Sequence, residues 1–166
     1  MGQRIAIGDW LVSWHPPSDP PDGIPHGAEG VCVTPSGEVV LISPDGVVWD
    51  LPAGRPEPGE TWEDTLRREM REEACATVVA ARLLGFNRGE CVAGPELGRV
   101  LVRSIWRADV ELARWDPQFE IPHRRVVPPD AAWTELAGHP FAAFIRRELL
   151  EAGLAPADPD GAAPSR

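Results

Sequence analysis

Three carboxylates close together in the chain, Glu69, Glu72 and Glu73, are the residues whose types and spacing most clearly could do chemistry. On a helix, positions i, i+3 and i+4 lie on one flank, so the three side chains would cluster within little more than a turn. Like charges at that spacing cost about a few tenths of a kcal/mol per pair. Divalent cations reverse the sign of that effect. Mg²⁺ suits such a set, because it takes a few hard oxygen ligands, keeps several waters and completes its shell with phosphate oxygens.

The sequence around them supplies the helix. Thr61 is a good N-cap with Asp64 three residues on, and Trp62, Leu66, Met70 and Ala74 form one apolar stripe. The spacing predicts a helix from Thr61 to about Cys75. Arg68 stands one residue off the acidic flank, where it can pair with Glu60 or Glu72 and hold the entering loop. Three glutamates on a helix are, by themselves, an ordinary solvated face.

The preceding loop changes that reading. From Gly54 the chain runs G-x5-E-x7-R-E-M-x-E-E, with Gly54, Glu60, Arg68, Glu69, Glu72 and Glu73 in place, preceded by Trp49-Asp50-Leu51-Pro52 and including Glu57-Pro58-Gly59-Glu60. This segment, Gly54 to Ala76, resembles the box of the Nudix hydrolases. The resemblance implies an α/β/α sandwich with a mixed β-sheet. It also implies that Glu69, Glu72 and Glu73, with the backbone carbonyl of Ala53, hold Mg²⁺ (or Mn²⁺). Relatives often add an acid from a loop before a late strand, which makes Glu120 a candidate ligand or general base, alongside Glu72 and with Arg68 among the catalytic set. The chain departs from the pattern in three places. Ala53 replaces a glycine, Cys75-Ala76 replaces the closing glycine and its aliphatic neighbour, and His123 stands where a second acid is common.

The other elements follow from punctuation and periodicity. One strand is expected over Ile5–Val12, a long loop from Val12 to Gly27, a hairpin from Gly30–Thr34 and Val39–Ile42, and a third strand over Val47–Trp49. A Pro/Gly-rich loop from Leu51 to Gly59 precedes the acidic helix. After it come strands at Val78–Phe86, Arg99–Val110 and Arg125–Val127, a short helix capped by Asp130, and a last helix ending at Gly153 that buries Phe141, Phe144, Ile145 and Leu149. One domain over residues 1–155 and a disordered tail over 156–166 complete the picture.

Whole-chain properties narrow the function. The 166 residues carry a formal charge of −10, and all basic side chains are Arg. That balance argues against a nucleic-acid backbone as partner, yet allows a small polyphosphate if metal ions supply the positive charge. No apolar run is long enough for a membrane span, and the start lacks a secretory pattern, so a cytoplasmic location is expected. Cys32, Cys75 and Cys91 read as reduced thiols. Oligomeric state stays open, a homodimer being one option.

The expected reaction is attack of water on a pyrophosphate linkage in a nucleoside diphosphate derivative, with a nucleoside triphosphate or nucleotide sugar favoured. The arrays of NADH and coenzyme A cleavers are missing, there is no Tyr to match dinucleoside polyphosphate cleavers, and Pro95 falls too late for the ADP-ribose marker. Arg103 and Arg107 share a strand face and could steer phosphates, while Trp14, Trp49 or Trp106 could stack a base. The alternatives are an inactive Nudix-fold module that binds a nucleotide metabolite, and an interaction domain whose acidic helix meets a basic partner.

Overall fold

The hydrophobic pattern is resolved by a sheet covered on both faces. The computed structural model describes residues 3–157, so the expected tail lies outside the described residues from 158 onward. Eight strands, β1 (Arg4–Ile7), β2 (Trp10–His15), β3 (Ile24–Val33), β4 (Val39–Ser43), β5 (Ala53–Gly54), β6 (Ala76–Cys91), β7 (Val100–Leu112) and β8 (His123–Val127), form one sheet. Its order is β1-β2-β6-β7-β3-β4-β8, with β5 paired to β3. The β3–β7 pair is parallel and its neighbours are antiparallel, so the sheet is mixed as expected.

Helix α1 (Trp62–Ala74) covers one face, where Leu66, Met70 and Ala74 pack on Ala28, Cys32, Val40 and Ala108. Helices α2 (Pro129–Glu135) and α3 (Ala142–Glu151) cover the other, with Ala132, Leu136, Ile145 and Leu149 against Val31, Leu41, Leu51 and Ile105. The α/β/α sandwich is thus observed. Gly30 sets how closely α1 approaches: a Cβ there would lie 2.9 Å from Met70 Sδ and 3.2 Å from Leu66 Cδ1.

Several boundaries differ from the sequence reading, each for a local reason. The strand expected over Ile5–Val12 is a hairpin, because Gly8 takes a positive φ of 56° and pairs Ile7 with Trp10 across the turn. Residues Val47 and Val48 make no strand. The Asp45 carboxylate accepts from both of their backbone N–H groups (2.8 and 2.9 Å), which removes those donors from any ladder. Asp130 does not cap α2, whose N-cap is Pro128, and Phe141 is the exposed N-cap of α3 rather than a buried residue. The loop Leu51–Gly59 contributes β5 to the sheet.

Candidate active site

Helix α1 begins as its sequence dictates. Thr61 Oγ1 accepts from the Asp64 N–H at 3.1 Å and the Asp64 carboxylate accepts from the Thr61 N–H at 2.9 Å, a reciprocal capping box. It ends at Cys75, which adopts the left-handed conformation (φ 50°, ψ 42°) that glycine takes at such ends. The exit from the helix is therefore glycine-like despite the cysteine, and the acidic flank is unaffected.

The loop before the helix folds directly onto that flank. Glu73 Oε2 accepts from the Ala53 N–H at 3.0 Å. Gly54 lies so close to Glu69 that a Cβ would meet its Cδ at 1.8 Å, so a glycine is required by close approach. Arg68 ties the remaining parts together. Its Nε and Nη2 donate to the two Glu60 oxygens, both at 2.9 Å, and Nη2 also donates to the Arg55 carbonyl at 2.7 Å. Its Nη1 donates to Glu69 at 2.8 Å and to Glu72 at 3.2 Å. The expected partner of Arg68 is Glu60 or Glu72; the arginine donates to both, and to Glu69.

The electrostatics follow from this geometry. Hydrogen bonding by Arg68 holds the Glu60 carboxyl down at about 2. Burial raises Glu69, with Arg68 pulling against it and the charges of Glu72 and Glu120 adding to it. Burial likewise pushes Glu73 up to about 7, opposed by the Ala53 N–H and reinforced by Glu69, Glu120 and Asp50. Glu120 sits in the exposed loop between β7 and β8, with its charge felt at both box glutamates.

Such a concentration of hard carboxylate oxygens, destabilised by its own charge, fits a divalent cation. The missing Cβ of Gly54 lets the Glu69 carboxylate lie against the loop beside them. Among the described residues no three acidic, His or Cys side chains stand at metal-ligating spacing. Arg68, donating to Glu69 and Glu72, is the counter-charge here, and Glu73 is turned to Ala53.

Beside this cluster lies a cavity of about 460 Å³, between β2, β3, β6, β7 and the start and inner face of α3. Arg55 and Asp50 join the two regions. The Arg55 carbonyl is held by Arg68 while Arg55 lines the cavity, and the Asp50 charge reaches Glu73. Arg103 lines it too, with Nη1 donating to Glu29 at 3.1 Å.

Arg107 does not. It donates to Asp109 (3.1 Å) and to the Ala152 carbonyl at the end of α3 (2.7 Å), so the structure does not bring it together with Arg103 at this cavity. None of the three tryptophans considered for stacking lines the cavity. Trp49 is buried in the core beneath Arg125, Trp14 packs against the α3 side of the core, and Trp106 donates to Ser104 at 2.9 Å. The cavity aromatics are Trp10 and Phe141.

Sequence reasoning also missed Glu29, Asn87, His139 and Glu148 in this cavity. His139 Nε2 pairs with Asp50 Oδ2 at 3.1 Å, and that hydrogen bond raises the His139 pKa against the effect of burial. The available signal was weak: Glu29 stands between Ala28 and Gly30 in an otherwise apolar run, while Glu148, next to Arg147, reads as an ordinary helix surface charge.

Comparison with known proteins agrees with this architecture. The NUDIX domain model matches residues 25–151, most of the chain, and the chain belongs to that family. Among solved structures, the Bacillus subtilis pyrophosphohydrolase BsRppH, solved as a point mutant, superposes with a TM-score of 0.72 at 19% identity, over 91% of this chain and 96% of that one. A MutT structure, from work on Aliivibrio salmonicida and Vibrio cholerae, gives 0.55 at 14% identity, over 75% and 95%. The NUDIX domain of Shewanella oneidensis NrtR complexed with ADP ribose gives 0.53 at 16% identity, over 71% and 80%. At these identities the likeness concerns the fold. No curated protein sequence matches the chain.

Proposed function

We propose that this protein hydrolyses a pyrophosphate linkage in a nucleoside diphosphate derivative, a nucleoside triphosphate or nucleotide sugar, with Mg²⁺ as its metal and Mn²⁺ as a substitute. The observation that carries the reading is the closure of Ala53-Gly54 onto Glu69 and Glu73 at the side of a cavity lined by Arg55 and Arg103. Glu69, Glu72, Glu73 and the Ala53 carbonyl are the groups that would hold the metal. A bound divalent ion supplies the charge that offsets a diphosphate and lowers the pKa of a water.

The chain's own groups do the rest. Arg68 fixes the Glu60 loop and keeps Glu69 and Glu72 oriented. Arg103 and Arg55 neutralise phosphate oxygens. Glu120, or Glu72 of the box, takes the proton released by the attacking water. The three free thiols support a reducing, cytoplasmic setting. No helix among the described residues is long and apolar enough to cross a membrane.

The test is a panel of nucleoside triphosphates and nucleotide sugars assayed for phosphate or pyrophosphate products with Mg²⁺ and with Mn²⁺. Glu73→Gln is expected to lose turnover by at least about 100-fold with an unchanged melting transition. Near-normal turnover in that folded variant would overturn the assignment.

A further inference from the structure

Four residues at the far wall of the cavity form a polar chain that the metal-side groups do not use. Asn87 Nδ2 on β6 donates to Glu148 Oε1 on α3 at 2.8 Å, and Arg103 Nη1 on β7 donates to Glu29 Oε2 on β3 at 3.1 Å. A hydrogen bond between the Glu29 and Glu148 carboxyls joins the two halves. Both acids are buried, 6% and 1% exposed respectively.

Ionised carboxylates only accept, so a hydrogen bond between two of them requires one proton on the pair. Glu148 is the member that carries it. Burial and the charge of Glu29 raise its pKa well above the usual range, and its Oε2 meets no donor among the described residues, as suits an oxygen that itself donates. Burial raises Glu29 as well, but Arg103 and the Glu148 hydrogen bond pull it back down, so Glu29 keeps the negative charge. Asp50, the other acid whose charge is felt at Glu29, is paired with His139.

The proton on Glu148 has a consequence for Arg103. A bare carboxylate takes an arginine by two parallel N–H bonds. Here Glu29 is satisfied from the Glu148 side and accepts one Arg103 nitrogen, its single hydrogen-bond partnership with the guanidinium among the described residues. The Arg103 side chain stays 35% exposed, within reach of a ligand. It also runs beside the metal-side loop: a Cβ on Gly27 would lie 3.2 Å from Arg103 Nε and 2.9 Å from the Gly54 carbonyl oxygen. Were Glu148 ionised too, two carboxylates would outweigh one guanidinium and the wall would repel phosphate.

We infer that Glu148 is a positioning residue: as a neutral acid donating to Glu29, it limits Arg103 to one internal contact and keeps the rest of the guanidinium for the substrate's phosphates. The inference rests on this cavity being the substrate site, as proposed above.

Glu148→Gln and Glu148→Leu test it, with Arg103→Ala as the reference. Glutamine keeps an N–H for Glu29 and an oxygen for Asn87, whereas leucine keeps the bulk and loses both. The readout is metal-free calorimetric titration of the full chain with inorganic pyrophosphate, which needs no turnover. Glu148→Gln is expected to bind within about twofold of wild type, and Glu148→Leu and Arg103→Ala about tenfold more weakly, the worth of one charge-assisted hydrogen bond. Adding Glu148→Leu to Arg103→Ala should cost less than about twofold more. Absence of pyrophosphate binding in the wild type, glutamine as weak as leucine, leucine as tight as wild type, or additive losses would overturn the inference. Infrared difference spectra of wild type against Glu148→Gln at neutral pH should show the C=O stretch of one protonated carboxyl, and its absence would overturn the inference even if the leucine variant fails to fold.

Hydrolysis of the nucleotide panel with Mg²⁺ separates this inference from the reading beneath it. Turnover with an unchanged KM in Glu148→Leu leaves the hydrolase and removes the positioning role. The expected pyrophosphate series without turnover of any substrate does the reverse.

Discussion

Replacing Gly54 with Ala should uncouple the chemistry of this site from its stability. A Cβ at this position would sit 1.8 Å from Glu69 Cδ and 2.1–2.2 Å from its two oxygens, whereas real contacts of this kind essentially never fall under 3.0 Å. Moving from 1.8 Å to 3.0 Å obliges the carboxylate to retreat by at least 1.2 Å. The clashing atoms are the end of a flexible side chain, so the backbone need not move and the folding cost stays small, about 1 kcal/mol from the lost Arg68–Glu69 hydrogen bond. Function is far less tolerant. A ligand or base misplaced by about 1 Å costs on the order of 100-fold in rate, or about 2.7 kcal/mol. The assay is kcat/KM for Mg²⁺-dependent hydrolysis, with a thermal melt to establish folding. A double-mutant cycle with Glu69→Ala then asks whether the effect passes through Glu69. If so, the two losses are strongly sub-additive. Turnover within a fewfold of wild type in Gly54→Ala, or fully additive losses, would refute the reasoning.

Three further outcomes follow from other contacts. Arg68→Ala removes charged hydrogen bonds to Glu60, Glu69 and Glu72 and should destabilise the metal-free chain by about 2–3 kcal/mol in urea titrations. Millimolar Mg²⁺ should recover part of that loss, and indifference to Mg²⁺ would count against the carboxylates as its ligands. Cys75→Gly should stabilise the protein by about 1 kcal/mol without changing turnover, since Cys75 is the one described non-glycine residue at positive φ; a lower urea midpoint would show that its side chain matters more than its backbone. The Asp50 hydrogen bond raises the folded-state pKa of His139, so this pair's contribution is fully present below the unfolded value near 6.5 and is lost as pH rises through the folded one. Asp50→Asn should lower the His139 midpoint in an imidazole NMR titration and shrink the drop in stability as pH rises from the unfolded value through the raised folded one.

The acidic helix was legible because everything that specifies it is local. Its cap, its stripe and its three glutamates lie within thirteen residues and their N-cap, and the loop that meets them is next in sequence. The cavity was not legible, because Glu29, Asn87, Arg103, His139 and Glu148 come from β3, β6, β7 and the region of α3. Only the parallel β3–β7 pairing brings Arg103 beside Glu29, and no short-range pattern encodes a parallel pair. Arg103 and Arg107 looked equivalent on their strand, yet Ala152 at the end of α3 reaches one and not the other. The missed turns at Gly8 and Asp45 have a different origin: in each, one residue's backbone or side chain overrides an apolar run that alone reads as strand.

Strand β3 has a consequence for how this molecule could change over time. It seats α1 through Gly30 and anchors the Ala53-Gly54 loop through β5, so both parts of the proposed metal site are mounted on one central beam. The proposed substrate cavity draws only His26 and Glu29 from that beam and is otherwise walled mainly by β2, β6, β7 and the region of α3. Replacements at Trp10, Asn87 or Phe141 can therefore retune which molecule is accepted while the cutting apparatus keeps its alignment. A lineage built on this plan can explore new substrates one periphery residue at a time.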